Sequence, residues 1–245
     1  MNQSVSKVDS FTLKVVAIIG MTANHFGNVF GTYLPLSARA ILIGLGGLTF
    51  PIMAYQLTVG YQHTRDVKKY AFRLGVFALI SLLPFIWVLG NSLNVLFTLL
   101  LGLIIIWADD ILQGSDAKRF VFYMILAGAI ALTYWCDWGI IGVPMILLYH
   151  RGMDKNWQAV LPIVLVWLWG LSALAELIVG GVFALYWKYY LPTFLYCFVG
   201  ATFTIPLLKS YNGQQGRSMK YFFYVYYPLH IVLLGLAKGL IFGAW

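Results

Sequence analysis

Long apolar runs, each closed by a few polar or glycine positions, follow one another along the whole chain. The polar punctuation divides it into nine stretches, near residues 11–31, 36–61, 70–89, 92–110, 119–135, 138–150, 157–178, 183–208 and 219–243. About 20 apolar residues are what a helix rising 1.5 Å per residue needs to cross the hydrocarbon core of a bilayer. The pattern therefore predicts an all-α, polytopic transmembrane helical bundle of about nine spans, with eight and ten as its bounds. The sixth stretch is short, which predicts a tilted or partly re-entrant helix. The seventh and eighth run into each other around Gly180-Gly181.

Composition agrees with the pattern. Hydrophobic residues make up 61% of the 245 positions and charged residues 10%, with a mean hydropathy of +0.83. A soluble domain of this size has no polar surface to spare for such a chain. The formal charge of +8 would suggest nucleic acid in a soluble protein, but its placement gives it another cause. With a cytoplasmic N-terminus and nine spans, thirteen of the sixteen basic residues fall on one side: Lys7, Lys14, Arg65, Lys68, Lys69, Arg73, Lys118, Arg119, Arg151, Lys155, Lys209, Arg217 and Lys220. Only Arg39, Lys188 and Lys238 fall at or near the other. The positive-inside rule reads this as N-in, C-out, and no nucleic-acid partner is expected.

The rest of the chain reads as one integral domain over residues 1–245, with short outer loops such as Gly90-Asn91 and no long soluble insertion. Ala38-Arg39-Ala40 superficially resembles a cleavage site. The segment before it holds Thr22, Asn24, His25 and Asn28, unlike a signal-peptide core, so a retained first helix is expected. Cys136 and Cys197 have no C-x-x-C spacing and read as packing residues. The four histidines are too dispersed for a metal set. The aromatic run from Tyr221 to Tyr227 reads as an interfacial belt; the alternative is that it lines a cofactor entrance.

Ionisable residues inside an apolar span are costly and mark candidate sites. The first span carries Lys14 at its mouth and His25 deep within it. A step of eleven residues is about three helical turns plus some 20°, so both side chains share one face, roughly 16 Å apart along the axis. A cation near the surface and an imidazole at depth suit a long ligand with an anionic head. Desolvation disfavours imidazolium, so a neutral His25 suits a general base. The plainer alternative is an interhelical hydrogen bond worth about 1 kcal/mol. Thr22 and Asn28, three residues either side, extend a polar stripe expected to face the bundle interior.

His230 lies about 16 Å into the final span behind Pro228, at a depth comparable to His25. It reads equally as a site residue or as packing. Gly44, Gly46 and Gly47 in the second span read either as close helix packing or as room for a slender ligand, with Gln56 nearer the cytoplasmic end to read a polar group. Asn94 and Asp137 complete the polar set; Asp137 is placed either to orient a histidine or acceptor, or as a solvated loop acid. His63 and His150, at cytoplasmic span ends, are expected to be exposed.

Several segments together resemble the TraX family of membrane acetyltransferases. They are Leu13-Lys14 with Met21-Thr22-Ala23-Asn24-His25, Gly46-Gly47-Leu48-Thr49-Phe50-Pro51, Gly60-Tyr61-Gln62-His63-Thr64-Arg65, Ala78-Leu79-Ile80-Ser81 with Pro84, Asn94-Val95-Leu96-Phe97-Thr98, Asp137-Trp138-Gly139 and Tyr227-Pro228-Leu229-His230. They occur in order through most of the chain. That family is in turn similar to the acyltransferase-3 group, whose first helix carries a basic residue, ten residues and a histidine, the spacing of Lys14 and His25.

The resemblance implies a membrane acyltransferase that moves an acetyl group from acetyl-CoA to a peptide amine or to a sugar or lipid hydroxyl. The family's namesake acetylates the N-terminus of a conjugative pilin. His25 would be the catalytic histidine, with His230 and Asn24 beside it. Lys14, Gly46, Gly47 and Gln56 would face the acyl-CoA, and Asn28, Asn94 and Asp137 the acceptor. No metal is implied. Partners would be acyl-CoA, an acceptor of unknown identity and membrane lipids, in a bacterial-type cytoplasmic (inner) membrane. The chain departs from the family pattern at Asn24, where aspartate is usual, and at Gly46-Gly47, where Gly-Arg is usual. The rival expectation is a catalytically inactive member acting in partner binding, immunity or small-solute transport.

Overall fold

The computed structural model describes residues 8–90, 92–153, 155–218 and 220–243; Lys7 and Asn91, used above for charge and loop readings, lie outside them. The described residues form α-helices α1 (Ser10–Val29), α2 (Leu36–Gly46), α3 (Thr49–Gln62), α4 (Val67–Leu89), α5 (Val95–Ile111), α6 (Asp116–Leu132), α7 (Gly139–Arg151), α8 (Leu161–Val179), α9 (Phe183–Phe194), α10 (Ala201–Lys209) and α11 (Lys220–Phe242). A 3-10 turn at Thr133–Trp135 extends α6, and a π-helical turn at Leu195–Gly200 joins α9 to α10.

Each predicted stretch corresponds to a helix or a joined pair. The second is α2 and α3 divided by a turn at Gly47-Leu48, and the eighth is α9 and α10 joined through the π turn. Gly181, at φ 68°, makes the reversal that separates the seventh from the eighth. Among the described residues, six helical segments are long and apolar enough to cross a membrane: Leu36–Gln62, Val67–Leu89, Asp116–Trp135, Leu161–Val179, Phe183–Lys209 and Tyr221–Phe242. This is an all-α membrane protein. Helix α1 has the length, at 20 residues, but Lys14, Asn24, His25 and Asn28 dilute its hydropathy. Helix α7, at 13 residues, rises only about 20 Å, short of the roughly 30 Å core, as its short apolar run anticipated.

Helices α1, α4, α5 and α6 start at side-chain caps. Asp9 accepts the Thr12 backbone N–H at 2.8 Å, Asp66 that of Lys69 at 3.0 Å, Asn94 that of Leu96 at 3.1 Å and Ser115 that of Lys118 at 3.3 Å. Each satisfies one of the amide groups that a first turn leaves without a helical partner.

The chain divides into two compact units, Met1–Met53 with Ala159–Trp245, and Ala54–Gln158. In the first, α2 packs on both α1 and the π turn, and glycines permit both approaches. A Cβ on Gly20 would stand 2.7 Å from the Leu45 carbonyl oxygen, and one on Gly44 2.8 Å from Leu195 Cβ. Thr49 also donates to the Ala17 carbonyl at 3.2 Å. In the second unit, α5 packs on α4 and α7, and Leu103, Ile105 and Ile106 of α5 and Val143, Met145 and Ile146 of α7 are fully buried. Gly102 leaves the space that Ile146 fills.

Candidate functional site

Helix α1 carries polar residues on two flanks, and each flank has a different neighbour. On one, Lys14, Thr22 and His25 face α11. The Lys14 ammonium lies 5.8 Å from the centre of the Phe223 ring, Thr22 Oγ1 is 2.8 Å from the Tyr226 hydroxyl, and His25 Nδ1 is 2.8 Å from His230 Nε2. The partners rise together along both helices, so α1 and α11 run parallel. Their register is set at the entrance, where Val8 bridges Tyr211, the Ser10 amide donates to Gln214 O at 2.9 Å and Ser10 Oγ lies 2.9 Å from the Tyr211 hydroxyl. The shared face for Lys14 and His25, expected from their spacing, is the face that meets α11.

The two histidines are buried. Their ring centres are 5.0 Å apart with planes 5° apart. That separation nearly equals the nitrogen–nitrogen distance plus the two ring radii, so the rings meet edge to edge in one plane. This is the geometry of a well-aligned hydrogen bond rather than of face-to-face stacking. His230 Nδ1 is 2.9 Å from the Tyr226 carbonyl, and Tyr227 packs against both rings. The Phe223, Tyr226 and Tyr227 side chains thus line the α1 face, and three- and four-residue spacing up to His230 was the signal for it. The arrangement holds an imidazole pair able to accept a proton in a buried place, with a cation on the same helix face. No carboxylate pairs with Lys14 among the described residues.

The other flank of α1 turns to α2. Asn24 Nδ2 donates to the Ile43 carbonyl at 3.3 Å, and Asn28 Nδ2 donates to Asn24 Oδ1 at 3.0 Å and to the Asn24 carbonyl at 3.1 Å. Asn24 is therefore next to His25 in sequence but about 100° round the helix, away from the histidine pair. Asn28 was expected to face the interior with Thr22; it is exposed instead, because Thr22 and Asn28 lie about 60° to opposite sides of His25 and α11 covers only the first. Gly46 sits against Asn24, and Gly47 against the Tyr196 carbonyl of the π turn and the Ala201 amide that opens α10. Helix packing fills the space at both glycines, and an arginine side chain at position 47 would have no room in it.

Gln56, Asn94 and Asp137 belong to the second unit. Gln56 is buried, and its Nε2 has no hydrogen-bond partner among the described residues. Asn94 caps α5 and donates to the Ala78 carbonyl at 2.8 Å. Asp137 closes a tight connection: its amide donates to Leu93 O at 2.7 Å, its Oδ1 accepts the Trp138 N–H at 3.0 Å, and its carbonyl accepts from Thr98 Oγ1. Trp138 there adopts φ 71°. Burial pushes the Asp137 carboxyl up to about 6, against the opposing pull of the Trp138 N–H. Both residues hold backbone in place where they stand.

His63 is exposed as expected, but His150 is not: its side chain is 12% exposed and its Nε2 lies 2.9 Å from Asp110 Oδ1. Asp110 also accepts from the Tyr61 hydroxyl at 2.7 Å, and Arg151 makes two hydrogen bonds to Asp109, at 2.6 and 2.9 Å. The signal was the pair of matching dipeptides, Asp109-Asp110 ending α5 and His150-Arg151 ending α7. No group of three or more metal-ligating side chains occurs among the described residues.

Fold and site together define a multi-helix membrane protein with a buried histidine pair between its first and last helices. Residues 10–238 match the family described as TraX protein, and the chain belongs to that family. It is also similar to a probable fimbrial assembly protein FimC, serogroup H1, from Dichelobacter nodosus, at 30% identity over 250 residues that cover 94% of this chain and 95% of that protein. No solved structure matches.

Proposed function

We propose that this chain is a membrane acyltransferase that moves an acetyl group from acetyl-CoA to an acceptor amine or hydroxyl, with His25 as general base. One observation carries the reading: a buried His25–His230 pair at 2.8 Å, on the helix face that also presents Lys14. A thioester donor with an anionic nucleotide end fits that pairing of imidazole at depth and cation nearer the mouth. The acceptor's N–H or O–H gives its proton to His25 as its lone pair attacks the acetyl carbonyl carbon. The thioester C–S bond breaks, and the leaving sulfur takes that proton, so the products are the acetylated acceptor and free CoA.

Among acceptors, the fimbrial assembly role in the name of the Dichelobacter nodosus relative favours a peptide amine on a fimbrial subunit over a sugar or lipid hydroxyl. The relation of Lys14 and His25 to the acyltransferase-3 spacing supports the same chemistry. The charge distribution supports an N-in placement in a bacterial-type cytoplasmic membrane, which puts Lys14 near the cytoplasmic pool of acyl-CoA.

The test is thermal unfolding of the detergent-purified protein with acetyl-CoA and with CoA, beside transfer of labelled acetyl to a pilin-like peptide. A ligand at 100 times its Kd that binds only the folded state stabilises by about 2.7 kcal/mol. Lys14→Ala should weaken that stabilisation. His25→Ala should keep it and lose transfer by about 10²–10⁴-fold. Absence of any shift at saturating CoA would sink the proposal in favour of an inactive, partner-binding TraX protein.

A further inference from the structure

The hydrogen-bond chain through the histidine pair has a direction. His230 Nδ1 is 2.9 Å from the Tyr226 carbonyl oxygen, and a carbonyl oxygen only accepts, so His230 Nδ1 carries a hydrogen. Neither ring is paired with a carboxylate among the described residues, and burial of an unpaired cation is costly, so both rings rest neutral with one N–H each. His230 Nε2 is then a lone pair. The hydrogen in the 2.8 Å contact therefore belongs to His25 Nδ1, and the lone pair of His25 is left on Nε2.

We propose that His230, anchored on the Tyr226 carbonyl, is a positioning residue that holds His25 in its Nδ1–H tautomer and makes His25 Nε2 the base. The word base rests on the acyltransferase reading; the tautomer does not. Coplanar rings put donor and lone pair on one line. The anchor is itself fastened to α1, because Thr22 Oγ1 donates to the Ile18 carbonyl at 2.8 Å, so the Tyr226 hydroxyl donates to Thr22 at 2.8 Å. When His25 Nε2 takes a proton, its Nδ1–H bond to His230 becomes charge-assisted and shorter, so His230 stabilises the cation just as it forms. The same logic orients the catalytic histidine in serine hydrolases, where a carboxylate stands in the place His230 takes here.

The experiment is 15N NMR of the full chain in lipid nanodiscs, labelled on histidine. With four histidines in the chain, His63→Gln and His150→Gln reduce the spectrum to the pair. The expected result is a protonated Nδ1 and a bare Nε2 on both rings, with His25 changing tautomer population when His230 is replaced by Ala. A protonated His25 Nε2 in the unaltered protein overturns the proposal. In turnover, His230→Ala should lower kcat by about 10²-fold with KM for acetyl-CoA within about threefold. His230→Gln should recover to within about tenfold of the unaltered protein, because its Oε1 accepts from His25 Nδ1–H. An unchanged kcat in His230→Ala overturns the positioning role. Should the unaltered protein transfer no acetyl group while its spectrum shows both bare Nε2 atoms, the acyltransferase reading falls and the tautomer assignment stands.

Discussion

His25 and Asn24 are neighbours in sequence with different partners, one held by His230 on α11 and the other by the Ile43 carbonyl on α2. A residue's chemistry in this protein follows its angular position on the helix, and one step changes it. Asn24→Ala is therefore expected to cost about 1 kcal/mol of stability through its lost hydrogen bonds while leaving the histidine pair in place. A 15N spectrum of that variant with altered His25 and His230 signals would contradict this. Asp137 offers a second residue-scale test. Its carboxyl is pushed up to about 6 by burial, above its ordinary value of 3.8. The folded state thus binds more protons than the unfolded one between those values. Its contribution to stability is full below about pH 4 and is lost as pH rises through about 6. Asp137→Asn should flatten that part of the stability–pH curve; an unchanged slope in denaturant unfolding from pH 4 to 7 would exclude this origin.

At the scale of elements, glycines decide how close α2 lies to its neighbours. At Gly47 an added methyl meets backbone, the Ala201 amide nitrogen at 2.8 Å and the Tyr196 carbonyl, and at Gly46 it meets Asn24, whose Cβ at 2.5 Å is fixed by the α1 backbone and does not move when the side chain rotates. Gly47→Ala and Gly46→Ala should each cost about 1–3 kcal/mol as overpacking. Gly128, inside α6 with nothing within 4 Å of an added Cβ, provides the opposite sign: Gly128→Ala should stabilise by about 0.5–1 kcal/mol through helix propensity. Unfolding midpoints of the three variants rank the effects, and a Gly47→Ala protein as stable as Gly128→Ala would disprove the close contact with the π turn. Segment existence and order were legible in the run of apolar residues. The division of the second span into α2 and α3, and the π turn between α9 and α10, were not, because both answer to packing between α2 and the Leu195–Gly200 turn.

Over the whole molecule, charge along the chain carries the topology. The basic residues concentrate in alternate connections, and the N-in topology proposed from them would have Lys118 and Ser210 on the cytoplasmic side and Tyr33 opposite. Both native cysteines are buried, so cysteines introduced at those exposed positions report alone. Lys118→Cys and Ser210→Cys should react with a membrane-impermeant thiol reagent only in inside-out vesicles, and Tyr33→Cys only in right-side-out ones. The reverse pattern would overturn the N-in placement proposed from the charges. The family match spans both compact units, from residue 10 to 238, so the TraX sequence pattern includes the second unit as well as the histidine pair of the first.

The sequence by itself determined the membrane class, the succession of helical stretches and the shared face of Lys14 and His25, because hydropathy and helical period are local properties that every residue carries wherever its neighbours lie. It also brought His25 and His230 forward as residues of similar depth. Only the tertiary structure decided that these two meet, that Asn24 and Gly46 face each other instead, that Gly47 is closed by the π turn, and that His150 is paired with Asp110. Each of those depends on which helix covers which flank, a choice made by packing between segments up to 205 residues apart in sequence, where no periodicity within one segment can reach.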